Sequence, residues 1–340
     1  MVSWIPIDYK ENRQAWNEFR TRGVGASSVS CILGYDKYKS SLEYFYECIG
    51  EPSYSLDNLR TISGRETEPL TAMYWKCWDG SERSIVENFN AGRIIRECEP
   101  VNAFCVNDKY PYMYASLDQR ILKYGGFKTD GALELKNTIE RVLVQYEGRV
   151  APTHLIQNLI QCTLAEYEFG EVAVYLVDSG KFEVLPVHDL SAYKELIESM
   201  IAEINRFWER VLVARGCYTR KIDYQMKQNF RKVAEMENEI ARLEPPVQNT
   251  EVYMQFLTKK FKDRIATVSS VKGTTEQYLA AKRHKDISMQ IKEMQDKLRY
   301  EEIVLKTAIG SASKMDFEKG MGYLSWAQNA TSRPFLNKVI

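Results

Sequence analysis

Between about residues 84 and 138 apolar side chains recur at every second position, and on both sides of that stretch they recur at helical spacing. Such a switch of period describes a sheet laid against helices. Strand candidates within it are 94–98, 103–106, 113–122 and 132–137, with Gly125-Gly126 as a hairpin turn between the last two. The last strand contains Leu133-Glu134-Leu135-Lys136. Side chains alternate along a strand, so Glu134 and Lys136 share a face while Leu133 and Leu135 point into a core. That places an acid and a lysine on the rim of a buried sheet.

The flanking segments read as helices. Residues 11–20 carry Trp16 and Phe19 on one face, and a glycine-rich turn over 22–28 opens a short helix ending near Gly34. Further helices are expected over 41–49, over 66–78 with Glu68 in the first turn, and over 152–166 with Leu155, Leu159, Cys162 and Thr163 facing inward. Strands over 171–178 and 181–186 precede a long helix from 190 to 214. After Cys217 the chain becomes charge-rich, with helices over 224–244 and 274–308; Glu244-Pro245-Pro246 breaks the first. Ile287, Ile291, Met294 and Leu298 form a narrow apolar stripe suited to helix pairing. The last thirty residues, with Phe317, Tyr323, Leu324 and Trp326, read as a small β-hairpin. The expected organisation is a first domain over 1–217, a helical, coiled-coil-like extension over 218–310 and a small β-hairpin tail over 311–340.

Composition excludes several classes. The 340 residues carry no formal net charge, so any basic surface for nucleic acid must be local. Seven cysteines, an odd number with no Cys-x-x-Cys pair, argue against a disulfide framework or a zinc ribbon and for a reducing compartment. His154, His188 and His284 do not cluster in sequence. The N-terminus lacks a basic region followed by a long apolar stretch, and no segment approaches the ~20 apolar residues of a membrane span. A soluble cytosolic protein without membrane contact is expected. Neither a Gly-x-Gly-x-x-Gly fingerprint after a strand nor a Walker A lysine motif occurs.

Three acids and one lysine stand out. Glu68 follows Gly64-Arg65-Glu66-Thr67, Asp118 ends Tyr114-Ala115-Ser116-Leu117-Asp118, and Glu134 is followed two residues on by Lys136. With Asp118 on a strand next to Glu134 and Lys136, this is a layout for binding Mg²⁺ and cutting phosphodiesters. Taken alone, Glu-x-Lys on a strand is usually a solvated cross-strand salt bridge.

Four stretches, in order, resemble the YqaJ-like viral recombinase family, relatives of the lambda exonuclease within the PD-(D/E)xK nuclease superfamily. Residues 16–27, ending Arg22-Gly23-Val24-Gly25-Ala26-Ser27, are similar to its opening motif, and Gly64 to Glu68 to its Gly-x-x-x-Glu. Ala115-Ser116-Leu117-Asp118 with Leu133-Glu134-Leu135-Lys136 resembles the nuclease core. Pro152-Thr153-His154-Leu155-Ile156-Gln157 resembles the following helix with its glutamine. The resemblance covers roughly residues 12–210. Ser28 stands where the family often has an acid, and Gln119 where a glycine often follows the core aspartate.

The resemblance implies an α/β fold with a restriction-endonuclease-like core: a central mixed β-sheet flanked by helices, with a helical C-terminal extension. It implies a Mg²⁺-dependent DNA exonuclease, with Mn²⁺ able to substitute, that works 5′ to 3′ on duplex ends and leaves 3′ single strands for phage-type recombination. Glu68, Asp118, Glu134, Lys136 and Gln157 would be catalytic, with Gln161 the alternative glutamine one turn on. The metal would be held by Asp118, Glu134 and the Leu135 backbone carbonyl, joined by Glu68. Arg20 and Ser27, with Arg22 as a further candidate, would hold DNA phosphate; an arginine fork and a hydroxyl at a helix start suit an anion. The implied partners are double-stranded DNA ends, a single-strand annealing protein and other copies of the chain in a trimer. The implied setting is the cytoplasm of a bacterial host, for a phage or prophage protein. A structure-specific or nicking endonuclease of the same superfamily, or a non-catalytic DNA-end or protein-binding module, remain alternatives.

Overall fold

The structure, a computed structural model, describes residues 1–51, 59–124, 126–144, 149–187, 190–262, 272–317, 322–325 and 335–337. The expected roles of Gly125, His188 and Trp326 fall outside them. The chain divides into two compact units, Met1–Arg264 and Ile265–Ile340. Among the described residues no helix is long and apolar enough to cross a membrane.

In the first unit, β1 (Val2–Pro6) and α1 (Arg13–Arg20) lead through β2 (Val24–Gly25) and a 3₁₀ turn over Ala26–Ser28 to α2 (Val29–Ile32). Then follow α3 (Ser41–Ile49), α4 (Leu59–Cys77), α5 (Glu82–Asn90) and five strands: β3 (Glu97–Pro100), β4 (Ala103–Asn107), β5 (Met113–Ser116), β6 (Gln119–Tyr124) and β7 (Phe127–Thr138). The unit continues with α6 (Glu140–Val144), α7 (Pro152–Ala165), β8 (Gly170–Leu176), β9 (Lys181–Val187), α8 (Lys194–Met226), α9 (Phe230–Leu243) and α10 (Glu251–Phe261). The second unit holds α11 (Thr275–Ile309) and three short strands, β10 (Lys314–Asp316), β11 (Tyr323–Ser325) and β12 (Phe335–Asn337), paired in that order. The expected two-stranded tail is therefore a three-stranded antiparallel sheet.

The fold is α/β, with mixed sheets flanked by helices, but the first unit carries two sheets rather than one. One is five-stranded in the order β3-β6-β7-β8-β9, the other four-stranded in the order β1-β4-β5-β2. The segment read as one strand over 113–122 is two strands in different sheets. β5 pairs with β4 and β2, while β6 pairs with β3 and β7. Between them lie Leu117, which is buried, and Asp118. An unbroken period of two does not report that the hydrogen-bonding partners change.

β7 lies at the centre of its sheet and is covered on both faces. Leu133 and Leu135 pack with Ala72 and Trp75 of α4, while Ala132 joins the core that includes Leu159 and Ile160 of α7. β7 and β8 run parallel, and parallel neighbours need a crossover, which contains α7. α7 starts at Pro152, where a missing N–H costs nothing, and ends at Glu166 in the left-handed region (φ 57°). It packs close: a Cβ on Gly170 would sit 2.0 Å from Asn158 Oδ1. Glu134 is thus beneath a helix, not on the rim expected from the sequence.

α4 begins before the expected start at residue 66, so Glu68 lies in mid-helix, next to Pro69. Proline near a helix start is the commoner pattern, which is why the sequence reads as a start there. One turn earlier, side chains bond the backbone of the helix: Thr67 Oγ1 donates to Ser63 O (2.8 Å) and Gly64 O (3.0 Å), and Asn137 Nδ2 donates to Gly64 O (3.2 Å). α8 extends past 214 and runs unbroken through residue 217, where the sequence reading ends its first domain; α9 and α10 also belong to the first unit.

Candidate active site

Glu134 points from β7 towards α7 and is 1% exposed. Three donors hold its carboxylate. Lys136 Nζ lies 2.5 Å from Oε1, Gln157 Nε2 donates to Oε1 at 2.6 Å, and Gln161 Nε2 donates to Oε2 at 2.6 Å. The two glutamines are one helical turn apart and so share a face of α7. Both the expected glutamine and its alternative therefore touch the acid. Gln161 also donates to Ser116 O (3.0 Å), at the end of β5, and so ties α7 to both sheets. Asn158 Nδ2 donates to Ala132 O at 3.3 Å.

Asp118 occupies the two-residue link between the sheets, and its Oδ2 accepts from Leu135 N at 2.8 Å. Burial pushes its carboxyl well above the ordinary range, and the charges of Glu134 and Glu68 add to this; Lys136 and the Leu135 N–H oppose it. Glu68, half-buried on α4, is raised by burial and by Glu134, and pulled back by Lys136, Lys10 and Arg65. For Lys136, burial disfavours the charge, but Glu134, Asp118 and Glu68 outweigh it and raise its pKa. Glu68, Asp118, Glu134 and Lys136 thus form one electrostatic group. His154, in the first turn of α7, is pushed down to about 3 by burial and by the Lys136 charge, so it is neutral beside the site. Its position after Pro152 gave no sign of this role, nor did the sequence place Lys10 near Glu68.

Among the described residues no three histidine, cysteine, aspartate or glutamate side chains are gathered so as to hold a metal ion. The cause is visible in the bonds. Lys136 and the glutamines take both oxygens of Glu134, and Asp118 is turned to the Leu135 N–H. The donor chemistry nevertheless fits a hard divalent cation: carboxylate oxygens whose mutual repulsion such an ion relieves. Leu135, expected to contribute its carbonyl, is engaged with Asp118 through its N–H.

Arg20, Arg22 and Ser27 are exposed at the corner between α1 and the 3₁₀ turn. The guanidinium of Arg22 lies over the Phe19 ring, 5.3 Å from its centroid. Tyr114 Oη donates to the Arg20 carbonyl at 3.3 Å. β2 pairs with β5 through Val24↔Met113 and Gly25↔Tyr114, so this corner adjoins the strand that leads to Asp118. Gly25 has a packing reason: a Cβ there would lie 2.9 Å from the Tyr114 ring.

Fold and site together define a mixed α/β domain with a buried carboxylate–lysine centre at the meeting of two sheets. Residues 15–168 match the model of the YqaJ-like viral recombinase domain. No curated protein matches the chain. Among solved structures, the chain is similar to an alkaline exonuclease (LHK-Exo) from Laribacter hongkongensis, at 19% identity and TM-score 0.45, covering 62% of this chain and 99% of that one. The same protein in complex with dAMP gives 19% identity, a TM-score of 0.46 and the same coverage. SSO0001 is similar at 14% identity and TM-score 0.25, over 56% of this chain and 87% of that one.

Proposed function

We propose that this chain is a Mg²⁺-dependent DNA exonuclease, with Mn²⁺ able to substitute, that degrades the 5′ strand of duplex ends and leaves 3′ single strands for recombination. The observation that carries the reading is the buried Glu134, held by Lys136, Gln157 and Gln161 within one charge group with Asp118 and Glu68, inside the span that matches the YqaJ-like viral recombinase domain model.

Asp118, Glu134 and the Leu135 carbonyl, joined by Glu68, would hold the cation. The chemistry a divalent cation supplies when bound is polarisation of the phosphate and acidification of water. The chain's own groups do the rest. Gln157 and Gln161 fix the rotamer of Glu134. Lys136 keeps its proton among three carboxylates and donates to negative charge developing on the scissile phosphate. Neutral His154 adds no competing charge. Arg20, Ser27 and Arg22 take backbone phosphates, which makes binding salt-sensitive and nearly independent of sequence. The partners that follow are DNA ends, a single-strand annealing protein and further copies of the chain, a trimer by family resemblance, in the cytoplasm of a phage-infected bacterium.

Digestion of linear and covalently closed circular duplex DNA with separately labelled ends tests this. Mg²⁺-dependent loss of 5′ label with circles intact is expected. Cut circles would replace the reading with an endonuclease, and no cleavage with any divalent metal would overturn it. Glu134→Ala should lower cleavage roughly 100-fold or more while DNA binding persists; unchanged cleavage would refute the site.

A further inference from the structure

α11 runs for 35 residues, about 50 Å, and opens on a capping box between Thr274 and Gln277. Helices gain most of their stability from burying an apolar face. Along α11 only Ile309 is buried. Ile287, Ile291, Met294 and Leu298 are 54%, 51%, 66% and 50% exposed, so nothing among the described residues covers them. Their spacing of 4, 3 and 4 is the 3.5-residue period of a two-helix seam, narrower than the face of a helix lying on a globular core. The same seven-residue repeat, carried outward, places His284 seven residues before Ile291 and Glu301 seven after Met294. Two polar side chains therefore flank the four apolar ones in the line of the seam; one heptad further out, at the helix start, Gln277 is occupied by the capping box.

We propose that α11 pairs antiparallel with α11 of a second copy, about a two-fold axis midway between positions 292 and 293. In this register Ile291 packs beside the partner's Met294 and Ile287 beside the partner's Leu298. His284 then faces the partner's Glu301, and symmetry repeats each pair. Both polar residues are matched by each other, which is what singles out this arrangement. A parallel pair would set Glu301 against the partner's Glu301. An antiparallel pair displaced by one heptad would set Glu301 or His284 against an apolar residue. A polar pair flanking an apolar stretch of seam fixes register and orientation in this way. The pairing joins copies two at a time, whatever assembly the first unit makes.

Sedimentation equilibrium of the full chain tests it. The wild-type mass should be twice that of Ile291→Lys, and Met294→Lys should behave the same way; both positions are exposed within the single chain, so the fold does not depend on them. Equal masses would give the seam to some other segment or protein and overturn the proposal. His284→Glu and Glu301→His, each alone, should weaken association about tenfold or more, as removal of one partner of a buried pair does. The exchanged double variant, H284E with E301H, should recover it. A double variant as weak as the single ones would overturn the antiparallel register.

Discussion

Asp118 and His154 sit on opposite sides of the same electrostatic balance. Burial and Glu134 raise the Asp118 carboxyl well above its ordinary value. Between the ordinary and the raised value the folded chain keeps a proton that the unfolded chain releases, so stability falls as pH rises through that window and stays lowered above it. Asp118→Asn should therefore raise the melting temperature at neutral pH in the presence of chelator by about 2 °C or more, the scale of ~1 kcal/mol in a chain this size, while abolishing cleavage. Calorimetry with and without chelator reads this, and a lowered midpoint would contradict it. His154 has the opposite sign. Its pKa falls from an ordinary 6.5 to about 3, so the unfolded chain takes up the proton first and stability is lost as pH drops across that interval. His154→Gln should flatten the loss of melting temperature between pH 6.5 and 4. In the wild type, imidazole resonances should show His154 neutral down to pH 4.

At the scale of elements, the site depends on how closely α7 lies on β7 and β8. Gly170→Ala would drive a methyl group into Asn158, and over-packing of this kind costs about 1–3 kcal/mol. The displaced helix carries Gln157 and Gln161, so cleavage should fall along with melting temperature. Full activity in a folded Gly170→Ala chain would show that the glutamines need no such precision. The elements that build this region were legible in the sequence. Pro152 and the helical spacing after it marked α7, and alternation marked β7 with Glu134 and Lys136 on one face. What escaped was the third dimension. Nothing in the alternation over 113–122 says that the strand changes partners at Leu117-Asp118. Nothing in Leu133-Glu134-Leu135-Lys136 says that Glu134 is covered as fully as the two leucines. Helical spacing did offer Gln161 beside Gln157, but only the packed helix shows both reaching Glu134.

For the whole molecule, the division at Arg264 makes a separate claim. A chain ending at 264 retains both sheets and every residue of the charge group, so it should fold cooperatively and cleave DNA, with loss only of α11 pairing. Absence of a thermal transition in that truncated chain would show that the second unit is needed for the first to fold. Because net charge is zero, the proposed attraction to DNA must come from local cations rather than the overall field. Raising salt from 50 to 200 mM should cut DNA affinity steeply, and filter binding at several salt concentrations gives the number of phosphates engaged from the slope.

The link at Leu117-Asp118 has one more consequence. One acid of the pair hangs from the joint between the two sheets, while the other is fixed in the middle of the five-stranded one. The gap between Asp118 and Glu134 is therefore a gauge of the angle at which the sheets meet. If Asp118 and Glu134 hold the proposed cation, a substitution deep in either hydrophobic cluster, far from any carboxylate, would be felt first as a change in how well their oxygens share it. On the proposed metal role, cation affinity would then be a remote strain sensor for the packing of the whole first unit.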